Sequence, residues 1–185
     1  MKRIVMVKLA VTDEQAATLK QTLLTCNAAA DVVSDVAQHS SDRRAFALQK
    51  TVYTQIKALG LSAQPAVRVI KKVADAYTTR KANLNAGNYG QSGSKRYAAV
   101  SGTAVRFRPL AAQPFDDRCL SWQLDSSTVS IWTVSGRMRV CGSCARRGNS
   151  NSFQTARVKR IWFTAAAAST CMPPSINLHP RRLCR

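Results

Sequence analysis

Between Ser62 and Lys81 the chain sets Ile70, Val73, Ala74 and Tyr77 at i, i+3, i+4 and i+7, with Val69 beside them. Only the 3.6-residue period of an α-helix gathers such positions on one stripe, and a strand would scatter them over both faces. Ser62 is placed to cap this helix and Pro65 falls in its first turn, where the missing N–H costs nothing. A stripe of that width has to be buried, and the residues before it supply the partners. Thr12-Asp-Glu-Gln15 is a capping-box pattern, and the helix it opens carries Leu19, Leu23, Cys26, Ala30 and Val33 on one side. A second helix is expected from about Ser41-Asp42, presenting Phe46, Val52, Tyr53 and Ile56 and stopping at Gly60. Residues 11–82 therefore read as a three-helix unit.

The flanks read differently. Arg3–Leu9 is a Val/Ile-rich strand within residues 1–10. Residues 83–102 are rich in Asn, Gly and Ser without apolar period, which predicts a flexible linker. Strands are expected at Thr103–Arg108, Cys119–Leu124, Val129–Val134 and Arg137–Val140, the last three joined by turns at Asp125-Ser-Ser and Ser135-Gly136. The expected fold class is α+β: a strand, a helical insertion and a β-meander over 103–140. After Val140 both periodicities fade, and residues 141–185 read as an irregular basic tail.

Charge narrows the function classes. The 185 residues carry 28 Lys+Arg against 9 Asp+Glu, a net charge of +19, and every acid lies between Asp13 and Asp125. With 45% hydrophobic residues the chain can fold, so wholesale disorder is excluded. No apolar run approaches the ~20 residues of a membrane span. Met1–Ala10 is basic at its start, but Lys8 interrupts it and no small-residue cleavage site follows, so it does not read as a secretory signal. Such an excess of cations on a small domain points to a polyanion. No helix combines a strongly apolar face with a lysine-rich one, which places a membrane surface behind nucleic acid.

Arg68, Lys71, Lys72, Arg80 and Lys81 fall mostly off the apolar stripe of their helix and would form its basic outer side. Lys95-Arg96-Tyr97, with Arg106 and Arg108, combines cations with an aromatic ring suited to base stacking. Read from the residues alone, each group is either a phosphate contact or a solvated surface. Tyr77, Trp122 and Trp132 read as core, and Asp116-Asp117 as a turn pairing with Arg118. Cys141-Gly-Ser-Cys144 is half of a zinc knuckle; a full site needs two more ligands, which Cys171 and Cys184 could supply, with His179 able to replace either. One CxxC leaves zinc as the alternative to no cofactor.

The helix segment Leu-Ser-Ala-Gln-Pro-Ala-Val-Arg-Val-Ile-Lys-Lys-Val-Ala-Asp-Ala-Tyr and the stretch over residues 107–140, above all Phe-Asp-Asp-Arg-Cys-Leu-Ser-Trp (115–122) followed by Val-Ser-Ile-Trp-Thr-Val-Ser-Gly-Arg (129–137), resemble the TnpB (OrfB) proteins of insertion elements. The resemblance covers about residues 2–140. It implies a wedge-type β-barrel interrupted by a helical recognition domain, which hold a guide RNA and its DNA target, and transposase-associated RNA-guided endonuclease activity in the whole family. It tips Arg68, Lys71 and Lys72 towards nucleic-acid contact; the full candidate set is Arg68, Lys71, Lys72, Arg80, Lys81, Lys95, Arg96, Tyr97, Arg106 and Arg108, with guide RNA and DNA as partners and a bacterial cytoplasmic, nucleoid-associated location expected. The oligomeric state is left open.

The departure from the family is large. Its nuclease uses three Mg²⁺-binding carboxylates, and no acid follows Asp125 here. Codons for Val158–Ala166, read from the third base of the Val codon, admit Glu-Thr-Asn-Leu-Val-Tyr-Arg-Ser, which resembles the family's continuation. The expectation is a truncated or frame-shifted TnpB-like chain with no catalytic residues. The alternatives are a free-standing RNA- or DNA-binding accessory protein with a zinc-binding tail, and a non-functional product with an open sheet edge.

Overall fold

The computed structural model describes residues 9–123, 128–141 and 161–163. Four helices, α1 (Asp13–His39), α2 (Ala45–Ala58), α3 (Ala63–Asn85) and α4 (Lys95–Gly102), precede strands β1 (Gln113–Phe115), β2 (Leu120–Gln123), β3 (Thr128–Thr133), β4 (Gly136–Cys141) and β5 (Ile161–Phe163). The fold is α+β.

The three long helices pack around one core. Cys26, Ala30 and Val33 of α1, Leu48, Val52 and Ile56 of α2, and Val69, Ile70, Val73 and Tyr77 of α3 are all buried there. Each large aliphatic side chain removed from water contributes about 1.5–3 kcal/mol, which fixes the helices whatever their intrinsic propensities. The capping box at Thr12 is formed in both directions: Gln15 N–H donates to Thr12 Oγ1 at 3.3 Å, and Thr12 N–H donates to Gln15 Oε1 at 3.1 Å. The start expected at Ser41-Asp42 falls instead at Ala45, because the Asp42 carboxylate binds the Arg44 backbone and side chain ahead of the first turn. Phe46, expected on the buried stripe, is 70% exposed. Leu48, Val52 and Ile56 already form that stripe, and Phe46 stands on a different side of the helix.

β2, β3 and β4 make an antiparallel meander in the order β2-β3-β4, with Leu120 opposite Ile131 and Val129 opposite Val140. Gly136, at φ +111°, follows the tight turn between β3 and β4, a backbone geometry that suits glycine. Leu120, Val129 and Ile131 of the sheet join Phe115 and Cys119 in a second core against Leu19. α1 therefore serves both cores, the sheet through its first turns and the helices through the rest. Among the described residues the three strands do not close into a barrel. β1 pairs with β5 in a separate two-stranded ribbon, Pro114 opposite Trp162. A part of the tail read as irregular thus contributes a strand, as the β-forming triplet Ile-Trp-Phe allows.

Two expectations between the helices and the sheet change. The linker read over 83–102 holds the end of α3 and all of α4, whose N-terminus is capped by Ser94 Oγ accepting from Tyr97 N–H at 3.2 Å. Thr103–Arg108 is not a strand. It runs along polar side chains of α1 and α3: Phe107 N–H donates to Asp31 Oδ1 at 2.9 Å and Arg80 donates to the Thr103 carbonyl, while Gln38 holds the Ser101 carbonyl at the end of α4. Side chains thus take the place of a strand partner at Thr103 O and Phe107 N–H. The strand read at Arg3–Leu9 and the turn at Asp125-Ser-Ser lie largely outside the described residues. No described helix is long and apolar enough to cross a membrane.

Candidate nucleic-acid interface

Arg68, Lys71, Lys72, Asp75, Ala76 and Thr79 follow one another along α3 at helical spacing and form one wall of a cleft of about 260 Å³. Phe107, Pro114 and Phe115 form the other wall. Three of the ten sequence-predicted residues therefore meet in one place, with apolar surface beside them.

The three do different things there. Arg68, half-buried, forms an ion pair with Asp116, while the Asp116 carboxylate also accepts from Cys119 N–H at 3.2 Å. Burial would raise the Asp116 pKa, but these hydrogen bonds, with the charge of Arg68, prevail and hold it below the usual carboxylate range. The partner of Asp116 is thus Arg68, 48 residues back on α3, and not the neighbouring Arg118. Lys71 pairs with Asp75 at i, i+4 and 3.1 Å, both at the surface. Lys72 is buried: Nζ donates to Asn27 Oδ1 at 2.6 Å and to Gln113 Oε1 at 3.5 Å, and sits 5.0 Å from the Phe107 ring centroid. Burial pushes its amine down to about 8, although the neighbouring Cys26 and Asp31 act in the opposite sense. Gln113 is fully buried beside it, and its Nε2 has no hydrogen-bond partner among the described residues.

Arg80 is also buried, which corrects the reading of both Lys72 and Arg80 as part of a basic outer side. Its guanidinium donates to the carbonyls of Val100 and Thr103 and to Gln38 Oε1, and lies 4.3 Å from the Tyr77 ring centroid. Tyr77 in turn donates to Ser34 O at 2.9 Å inside the core. Arg80 ties α4 and the extended segment to the helices, and its fork of donors is committed to that task.

The other candidates lie outside. Lys81, Lys95, Arg96 and Arg108 are exposed and have no acidic partner among the described residues. Arg96 lies 5.7 Å from the Tyr89 ring centroid, while Tyr97 is half-buried on α4. Arg106 is exposed but paired with Asp35 at 2.7 Å.

Sequence reasoning missed the uncharged organisers. Asn27 sits within the apolar stripe of α1, yet its Nδ2 donates to Pro109 O at 2.8 Å and Ala111 O at 2.9 Å while its Oδ1 receives Lys72. An Asn beside an otherwise apolar run was the available signal, since a buried amide needs partners. Gln38 and Gln113 gave none.

Cys141 ends β4, and its supposed co-ligands Cys144, Cys171, Cys184 and His179 lie outside the described residues. Among the described residues no three His, Cys, Asp or Glu side chains gather into a metal-binding group. Compared with family models, curated proteins and solved structures, the chain matches none.

Proposed function

We propose that this chain binds nucleic acid through a basic surface without cutting it, as a TnpB-like wedge-and-recognition portion would. One observation carries the reading. Of the eight acids among the described residues, Asp31, Asp35, Asp42, Asp75 and Asp116 are tied to internal hydrogen bonds or ion pairs, whereas Lys81, Lys95, Arg96 and Arg108 stand exposed with no acidic partner. The outward field is positive, and its natural complement is a phosphate backbone. The helix–meander order supports the TnpB-like form of the reading, with sequence readout left to a guide RNA, and the absence of acids after Asp125 supports binding without cutting.

The test is the salt dependence of RNA and DNA binding. Affinity falls as a power of salt concentration, and neutralising Lys81, Lys95, Arg96 and Arg108 together (each to Gln) lowers the slope by about 0.7 for every phosphate of a single strand that these side chains neutralise. No binding at low salt overturns the proposal. Translating the gene in all forward frames from codon 130 tests the TnpB-like form separately. A frame that continues the strand pattern and supplies three spaced carboxylates supports it, and the lack of one removes it.

A further inference from the structure

The outer side of α2 carries a pattern that the basic residues of α3 and α4 do not share. Leu48, Val52 and Ile56 take one side of this helix into the core. Phe46, Lys50, Tyr53 and Lys57 stand at i, i+4, i+7 and i+11, which is one continuous stripe elsewhere on the cylinder. Aromatic and cation alternate along it. Phe46 is 70% exposed, and Lys50 Nζ sits 4.8 Å from its ring centroid. Phe46, Gln49, Lys50, Tyr53 and Thr54 line a shallow hollow of about 230 Å³. The fourteen residues of α2 contain no Asp or Glu, and neither Lys50 nor Lys57 forms an ion pair among the described residues.

A single exposed Phe is ordinary on a protein surface. A Phe in register with unpaired lysines and a second ring, on a helix without acids, is a specific combination. Its charge complement is a polyanion, and its exposed Phe46 ring, Tyr53 being half-buried against the helical core, complements a partner with flat apolar faces. Single-stranded nucleic acid offers both at once, because its bases are free to splay and stack. A duplex shows this surface phosphates alone.

We infer that this face of α2 is a binding site for an unpaired nucleic-acid strand. One base stacks on the Phe46 ring, Gln49 and Thr54 at the edge of the hollow meet polar edges of base or sugar, and Lys50 and Lys57 take flanking phosphates. The two lysines stand about 10 Å apart along the helix axis. The inference rests on the nucleic-acid reading for the class of partner, but it uses none of the ten residues on which that reading was built.

The experiment measures binding of fluorescent 15-nucleotide RNA and DNA single strands, and of the matching duplex, to the full chain and two variants. Phe46→Ala removes an exposed ring and leaves the core intact, so its melting temperature should match that of the parent. It should weaken single-strand binding about tenfold and change duplex binding less than twofold. Lys50→Gln with Lys57→Gln should lower the single-strand salt slope by about 1.4. A loss with both RNA and DNA assigns the site to unpaired strands of either kind, and a loss with RNA alone assigns it to RNA. If the parent binds neither strands nor duplex, the nucleic-acid reading itself fails. If the parent binds and Phe46→Ala binds single strands equally well, the α2 site alone is overturned. Equal losses on duplex and single strand, or loss of self-association in Phe46→Ala, overturn it too, since the face would then serve phosphates alone or a second copy.

Discussion

Lys72 on α3 donates to Asn27 Oδ1 on α1 across 2.6 Å inside the protein. The same amide holds the Pro109 and Ala111 carbonyls, so one side chain couples two helices to the segment that leads into the sheet. The ammonium is the costly member. Its folded-state pKa of about 8 lies below the ordinary 10.5, so the unfolded chain binds more protons between those values and stability rises with pH through that window. Lys72→Met removes this response. The gap in melting temperature between parent and variant should widen in the parent's favour from pH 7 to pH 8.8. A constant gap would show that Lys72 does not titrate there.

Arg80 anchors the backbone at Val100 and Thr103. Arg80→Met would leave both carbonyls and Gln38 Oε1 without this donor, at a cost of about 2–3 kcal/mol in urea unfolding. Arg80→Lys keeps the charge but not the fork and should recover less than half of the loss. Full recovery would mean that charge alone matters.

Freeing Arg68 should strengthen the proposed nucleic-acid binding. Asp116→Asn removes the carboxylate that pairs with Arg68 and adds one unit to the net charge. Affinity for a single-stranded RNA should rise about threefold at low salt, with a steeper salt slope, while stability falls by about 1 kcal/mol. Unchanged affinity with the expected destabilisation would place the cleft outside the interface.

Cys26 and Cys119 are buried free thiols, and burial foremost pushes both up to about 12 from the ordinary 9.0. The thiolate is the reactive form, so neither should be alkylated by iodoacetamide at pH 8 in the folded protein. Both should label fully in urea, as peptide mapping by mass spectrometry would show. Labelling of Cys26 without denaturant would contradict its place in the helical core.

Removing the helix cap at Thr12 has a local cost. Thr12→Ala loses the bond from Gln15 N–H and should lower stability by about 1 kcal/mol. Gln15 Nε2 also donates to Arg139 O on β4, so hydrogen exchange should speed up at the first turn of α1 and in β4 together. A response confined to the helix would argue that the cap and the sheet are uncoupled.

Periodicity by itself determined the three long helices and the meander, because burying Val69, Val73 and Tyr77 on one side and Val129 and Ile131 on another leaves few other solutions. Composition determined the positive field. Only the tertiary structure decided which cations carry it. Lys72 and Arg80 carry the same sign of charge as their chain neighbours Lys71 and Lys81, yet a rotation of one residue around the helix separates a buried clamp from a surface charge. Tertiary context also made Thr103–Arg108 a strap: β-propensity describes how a segment fits a neighbour, and here the neighbours are Asp31 and Arg80 rather than another strand. Phe46 shows the same limit from the other side. An apolar residue in a helical pattern is read as core until the packing of its neighbours shows that the core is already filled.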